Sequence, residues 1–200
     1  MKTKRSYSLL LAVAAAAATL APSSAVYGQT RAASTGGNSP HETTSTVIGE
    51  RRTGCRVTIT YGRPSITHPK SGEVRKIFGE LVPWEKAWRL GADEATLLLT
   101  QKPLQFGDTT IPAGAHTLYL VPSENGVTQL AFSSNLGKWG VPVDETSDIA
   151  RVPMQKEALT ESVDPLTITV VYDKEKDANA GVLKIAWEKT QFSVPFTVSN

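Results

Sequence analysis

Residues 55–61, CRVTITY, place Val57, Ile59 and Tyr61 on one side of an extended chain and Arg56, Thr58 and Thr60 on the other. Period-two alternation in β-branched residues predicts a half-buried strand. Residues 43–48 repeat the pattern more weakly and predict a partner strand, joined to it through residues 50–54 as a hairpin. Residues 62–76, with Pro64, Pro69 and Gly72, form a long polar loop. Residues 95–100 (ATLLLT) predict a buried strand. Residues 104–106 predict a short one that stops at Gly107-Asp108, before a turn at Pro112-Ala113-Gly114. Residues 116–121 (HTLYLV) and 127–133 (VTQLAFS) flank Asn125-Gly126, a strong hairpin sign. Residues 135–148 are irregular, with a short helical turn over 144–149. Residues 150–158 predict an edge strand, because Pro153 removes a ladder donor. Residues 166–172 (LTITVVY) and 182–187 (VLKIAW) make a further hairpin. Residues 191–198 (QFSVPFTV) make a last strand with Phe192, Val194 and Phe196 aligned.

No window keeps a helical period. Nine or ten short strands with frequent turn residues predict an all-β fold, an antiparallel β-sandwich of jelly-roll or immunoglobulin-like kind; a closed β-barrel is the alternative.

The first residues change how charge is counted. A basic start (Lys2, Lys4, Arg5), an apolar run over 9–21 and small residues at Ser23, Ser24, Ala25 and Gly28 have the three-part form of a secretory signal peptide. The apolar run is shorter than the about 20 residues of a membrane span. Cleavage after Ala25 or after Gly28 both fit, and the protein is expected to be exported to the periplasm or beyond. Losing residues 1–28 takes 21 basic residues to 18 against 19 acidic ones, a net charge of −1. No basic stretch remains for nucleic acid, and no membrane anchor survives processing. Residues 29–39 (QTRAASTGGNS) are small and polar and predict a disordered lead-in; residues 40–200 predict one domain. Cys55 is the only cysteine, so a monomer holds no disulfide, and a free cysteine most often behaves as a small buried hydrophobe.

Residues 77–100, IFGELVPWEKAWRLGADEATLLLT, set Glu85, Lys86, Arg89, Asp93 and Glu94 among Trp84, Trp88 and a run of leucines. Charges at the edge of a core must be paired, so this stretch is where a site is expected.

Four stretches resemble domain-of-unknown-function family 2911, a family of exported bacterial proteins. They are Ser39-Pro40-His41; Tyr61-Gly62-Arg63-Pro64; residues 78–83 (FGELVP) with 88–96 (WRLGADEAT); and Pro112-Ala113-Gly114 with Leu118-Tyr119. The chain departs from the family pattern at Glu85, Asp93 and His116. The resemblance implies an exported single domain and supplies no activity.

The candidate ligand-binding residues are His41, Arg63, Arg89 and Glu94. If Gly91 bulges the chain, Arg89 and Glu94 reach one side, and His41 and Arg63 join from neighbouring strands. The favoured reading is a buried Arg89–Glu94 pair that fixes strand geometry. The other is a pocket for an anion or a sugar, since arginine bonds carboxylate and phosphate bidentately. A hydrolase or lyase using Arg63, Arg89 and Glu94 is the catalytic alternative. His41, His68 and His116 have no close metal-ligand spacing. No nucleophile elbow, phosphate loop or dinucleotide fingerprint is present, so no cofactor is expected. Trp139, in an irregular stretch, has the best claim among the tryptophans to be exposed and to stack on a sugar. The composite expectation is a non-catalytic binding module for a small molecule, a glycan or an envelope partner.

Overall fold

The computed structural model describes residues 30–36 and 39–199. The expected signal segment, residues 1–28, lies outside the described residues.

Ten strands run in chain order: β1 (Thr30–Gly36), β2 (Ser39–Ile48), β3 (Cys55–Gly62), β4 (Ala92–Thr100), β5 (Leu104–Phe106), β6 (Thr109–Ile111), β7 (Gly114–Val121), β8 (Thr128–Ser133), β9 (Asp148–Tyr172) and β10 (Ala180–Val198). All neighbours are antiparallel, in the order β1-β2-β3-β4-β7-β8-β9-β10-β5-β6. The order begins at β1 and ends at β6, so the sheet does not close into a barrel. It folds over on itself as an all-β sandwich. β9 belongs to both layers: residues 148–154 pair with β8, and residues 155–172 run beside β10. Ile59, Tyr61, Leu98, Leu118 and Phe132 from the first layer meet Ile168, Ile185, Phe192 and Phe196 from the second. Burial of this apolar area, at about 25 cal/mol per Å², is the main force holding the layers together.

The alternation read in residues 55–61 is the burial pattern of β3, where Cys55, Val57, Ile59 and Tyr61 are buried and Arg56 is exposed. Cys55 has no exposed surface, and its Sγ lies 3.3 Å from Thr100 Oγ1. The Asn-Gly segment does join a hairpin, β7 to β8. The irregular stretch contains a 3₁₀ turn at Glu145–Ser147, capped by Asp144.

Two expectations are corrected. Residues 150–158 and 166–172 are one strand, β9, and residues 182–187 and 191–198 are one strand, β10. The ladder shifts register around Glu188, whose φ is 54°, so a bulge bends β10 where a turn would have broken it. Residues 97–99 are not uniformly buried: Leu98 is sealed, while Leu97 is 37% and Leu99 49% exposed. An antiparallel layer covers one face only, and these two leucines stand on the other. Within the stretch expected as a lead-in, residues 29–39, Thr30–Gly36 pairs in register from Thr30↔Ser45 to Gly36↔Ser39. Ladder pairing uses main-chain groups and needs no apolar side chains.

The layers are also stitched along one edge by side chains. Thr46 Oγ1 donates to Val170 O at 3.1 Å, and Tyr61 Oη accepts from Ile168 N at 2.8 Å. Arg63 Nε donates to Leu166 O at 2.9 Å. Residues 166, 168 and 170 alternate along β9, so every second main-chain unit of this edge meets a side chain of β2 or β3 or of the residue that follows β3.

Candidate functional site

The start of β4 fixes the site. Gly62, at the end of β3, pairs with Ala92, and a Cβ on Gly62 would lie 2.1 Å from Ala92 O. Only glycine fits there. His41 is the partner of Gly62 on β2 and stands beside the same junction. Leu90 and Asp93 both take positive φ, 60° and 63°, and kink the chain on either side of Gly91. Strain of this kind costs about 1–3 kcal/mol per residue and collects where side chains must be aimed.

The kink separates the expected partners. Arg89 turns back onto its own main chain: Nη1 donates to Asp93 O at 2.6 Å and to Trp139 O at 3.3 Å, and Nε to Gly91 O at 3.4 Å. The guanidinium also sits 5.7 Å from the Trp139 ring centre. Glu94 instead receives His41, with Nε2 2.8 Å from Oε2. Among the described residues Arg89 and Glu94 form no ion pair, and the favoured reading of a buried Arg89–Glu94 pair is corrected: Glu94 is 63% exposed.

The four candidates divide between two places. His41 and Glu94 line a groove of about 670 Å³ on the outer face of β3, β4 and β7, together with Thr60, Asp93, Thr117 and Trp139. Arg63 and Arg89 line a cleft of about 690 Å³ beside the 62–76 loop. Side-chain parity explains the division, since His41 and Glu42 are neighbours on one strand and face opposite ways. Glu42 points inward and is 4% exposed. Arg63 donates to it at 2.6 Å and to Thr167 Oγ1 at 2.9 Å.

A strap over residues 134–144 roofs part of the outer face. Ala95 N donates to Lys138 O at 3.2 Å. Gly140, at φ 82°, runs so close that a Cβ would lie 3.0 Å from the Cβ atoms of both Arg89 and Ala95. Trp139 extends from this strap and is 55% exposed, as its irregular surroundings predicted; Trp84 and Trp88 pack against the core and Trp187 is within it. Beneath the strap, Tyr119 Oη bonds both oxygens of Asp148, at 2.7 and 2.6 Å, and Arg151 ties Tyr119, Asp148 and Glu145 together. Burial, then the hydrogen bond to Asp148, pushes the Tyr119 phenol far up, so it stays neutral.

Charge in the groove is tuned by hydrogen bonding. The main-chain N–H of Glu94 and then the His41 ring hold its carboxyl below the usual carboxylate range. Burial draws Arg89 down, and Asp93 and Glu94 act against that. Asp93 Oδ2 is buried and has no hydrogen-bond partner among the described residues, its neighbour in the groove being His41 Nε2 at 4.0 Å.

The other histidines lie elsewhere. His68 Nδ1 accepts from Lys70 N and Ser71 N, and His116 Nε2 bonds Pro112 O at 2.8 Å. Among the described residues no three His, Cys, Asp or Glu side chains gather to hold a metal ion. Sequence reasoning missed Glu42, Tyr119, Asp148 and Arg151. For Glu42 a sign existed: it shares strand parity with Ile48, whose burial was readable.

The family described as "Protein of unknown function (DUF2911)" matches residues 39–196, and the chain belongs to it. No match was found among curated proteins or among solved structures.

Proposed function

For this DUF2911 protein we propose an exported, non-catalytic module that binds neutral oligosaccharide in the groove beneath Trp139. The observation that carries this reading is the half-exposed Trp139 ring beside the carboxylates of Asp93 and Glu94. A flat aromatic face takes the apolar face of a sugar, and carboxylates and hydroxyls take its O–H groups. Here the acceptors are Asp93 and Glu94, and Thr60 and Thr117 add hydroxyls. Trp139 is held by its own carbonyl on Arg89, so little freedom is lost on binding.

A non-catalytic role fits the electrostatics. A general acid at neutral pH needs a raised carboxyl pKa, and that of Glu94 is lowered. Nor do the three residues of a hydrolase reading converge, since Arg63 lines the cleft and Glu94 the groove.

The test is binding of soluble oligosaccharides to wild type and to Trp139→Ala, read by calorimetry. Wild type should bind at least one neutral oligosaccharide and Trp139→Ala none. Equal binding by both, or none by wild type across the panel, overturns the reading. Export is tested by sequencing the mature N-terminus from cells, which should begin between residues 26 and 31.

A further inference from the structure

The cleft on the other side of Arg89 has a different chemistry. Among the described residues three arginines line it, Arg63, Arg75 and Arg89, and no aspartate or glutamate does. Arg63 is neutralised by Glu42. Among the described residues the other two form no ion pair, although Asp93 and Glu94 lie near enough to act on Arg89. Arg75 donates only to main-chain carbonyls, Nη2 to Ser65 O and Nε to Ile66 O at 3.5 Å. The acids of its own segment are engaged elsewhere, Glu73 with Ser71 and Glu80 with Lys76 at 3.7 Å. Arg89 likewise donates only to the carbonyls of Gly91, Asp93 and Trp139. Among the described residues, Arg75 Nη1 and Arg89 Nη2 have no acceptor.

The walls between them are apolar. Trp88 and Trp187 stack with ring centres 5.7 Å apart, and both line the cleft with Pro142. The Trp187 indole N–H is itself a buried donor without a partner. Guanidinium groups partly withdrawn from water and hydrogen-bonded to neutral carbonyls carry a desolvation cost, offset only in part at Arg89 by Asp93 and Glu94, that a bound anion reduces further. Because carbonyl bonds already fix both forks, a carboxylate meets donors that need no ordering.

We propose that this cleft binds a small organic carboxylate with an apolar body, the carboxylate on Arg75 and Arg89 and the body against the Trp88–Trp187 wall. The cleft borders the oligosaccharide groove at Arg89, whose guanidinium sits 5.7 Å from the Trp139 ring centre, while Arg75 lines the cleft and not the groove.

The experiment titrates sodium benzoate, sodium acetate and sodium phosphate into the mature protein at constant ionic strength. It follows tryptophan fluorescence and thermal midpoint. Benzoate should give a saturable change and raise the midpoint, while acetate and phosphate bind about tenfold more weakly or less. Arg75→Gln should weaken benzoate about tenfold while melting close to wild type and leaving oligosaccharide binding unchanged, since Arg75 does not line the groove. Added sodium chloride should weaken benzoate in the wild-type protein, a readout that needs no variant to fold. The proposal is overturned by a non-saturable benzoate response, by salt-independent binding, by undiminished binding in Arg75→Gln, or by phosphate binding as well as benzoate.

Discussion

Tyr61 Oη accepts the main-chain N–H of Ile168 at 2.8 Å, across the gap between the two layers. The same hydroxyl donates to Glu42 Oε1 at 3.1 Å. One phenol thus satisfies an edge amide of β9 and a buried carboxylate of β2. The layers meet along this edge through side chains, so the sandwich keeps a fixed spacing there without a continuous ladder.

Replacing Tyr61→Phe leaves the Ile168 N–H without its acceptor. A buried donor so orphaned costs about 1–3 kcal/mol. Urea unfolding should show a loss of that size, and hydrogen exchange at the Ile168 amide should quicken. Unchanged stability would mean water or Glu42 replaces the phenol.

Alkali gives a second reading of the same residue. Burial pushes the Tyr61 phenol up to about 12. The unfolded phenol titrates near about 10. The unfolded state therefore ionises first, so this contribution is whole below about pH 10 and fades toward about pH 12. The stability gap between wild type and Tyr61→Phe should narrow across that window in urea melts.

Arg63 and Glu42 form the most deeply set ion pair among the described residues, with Glu42 4% exposed at its side chain and Arg63 19%. Breaking such a pair from one side typically costs about 3–5 kcal/mol, because the other charge stays behind. Glu42→Gln should lie at the lower end, since Arg63 keeps Leu166 O and Thr167. A denaturant melt measures it, and the double variant Glu42→Gln with Arg63→Met should recover part of the loss.

Glu94 should behave in the opposite way. It faces water, so Glu94→Gln should move the urea midpoint far less than Glu42→Gln does. Its carboxyl, held low by its own N–H and by His41, should titrate below the usual carboxylate range by NMR. Any stability it lends is present above the unfolded carboxyl pKa and is lost as pH falls through the lowered folded value. His41→Ala should move that titration back upward; no movement would show that the main-chain bond acts alone.

The four tryptophans divide by burial, and mutation should follow the division. Trp187 is 1% exposed and Trp139 55%. Trp187→Ala should cost about 3–5 kcal/mol. Trp139→Ala should change stability by less than about 1 kcal/mol. Thermal melts of both variants decide this.

What could be read from the chain beforehand follows from how local each cause is. The inward face of β3 was legible because alternation of Val57, Ile59 and Tyr61 needs no partner to be seen. The exposure of Trp139 was legible from the glycines and prolines around it. The unity of β9 and of β10 was not, because a bulge at Glu188 and a proline at 165 look like breaks until the neighbouring strand is in place. Leu97 and Leu99 misled because an apolar run does not say which of its members face solvent. The division of the candidate site was hidden for a geometric reason. Whether Arg89 meets Glu94 depends on the signs of φ at Leu90 and Asp93, and neither residue type favours positive φ enough to announce it. Arg63 was named as a candidate ligand-binding residue, but its partner Glu42 lies 21 residues earlier, and only its shared strand parity with Ile48 hinted that it faces inward.

The lone thiol of Cys55 carries a last consequence. With no exposed surface and Thr100 beside it, its sulfur is out of reach of any reagent in solution while β3 and β4 stay paired. A maleimide can therefore react only in molecules that have opened. The rate of labelling becomes a clock for that opening, built into the chain without engineering, and its slowing by benzoate or by an oligosaccharide would time how tightly each holds the sandwich shut.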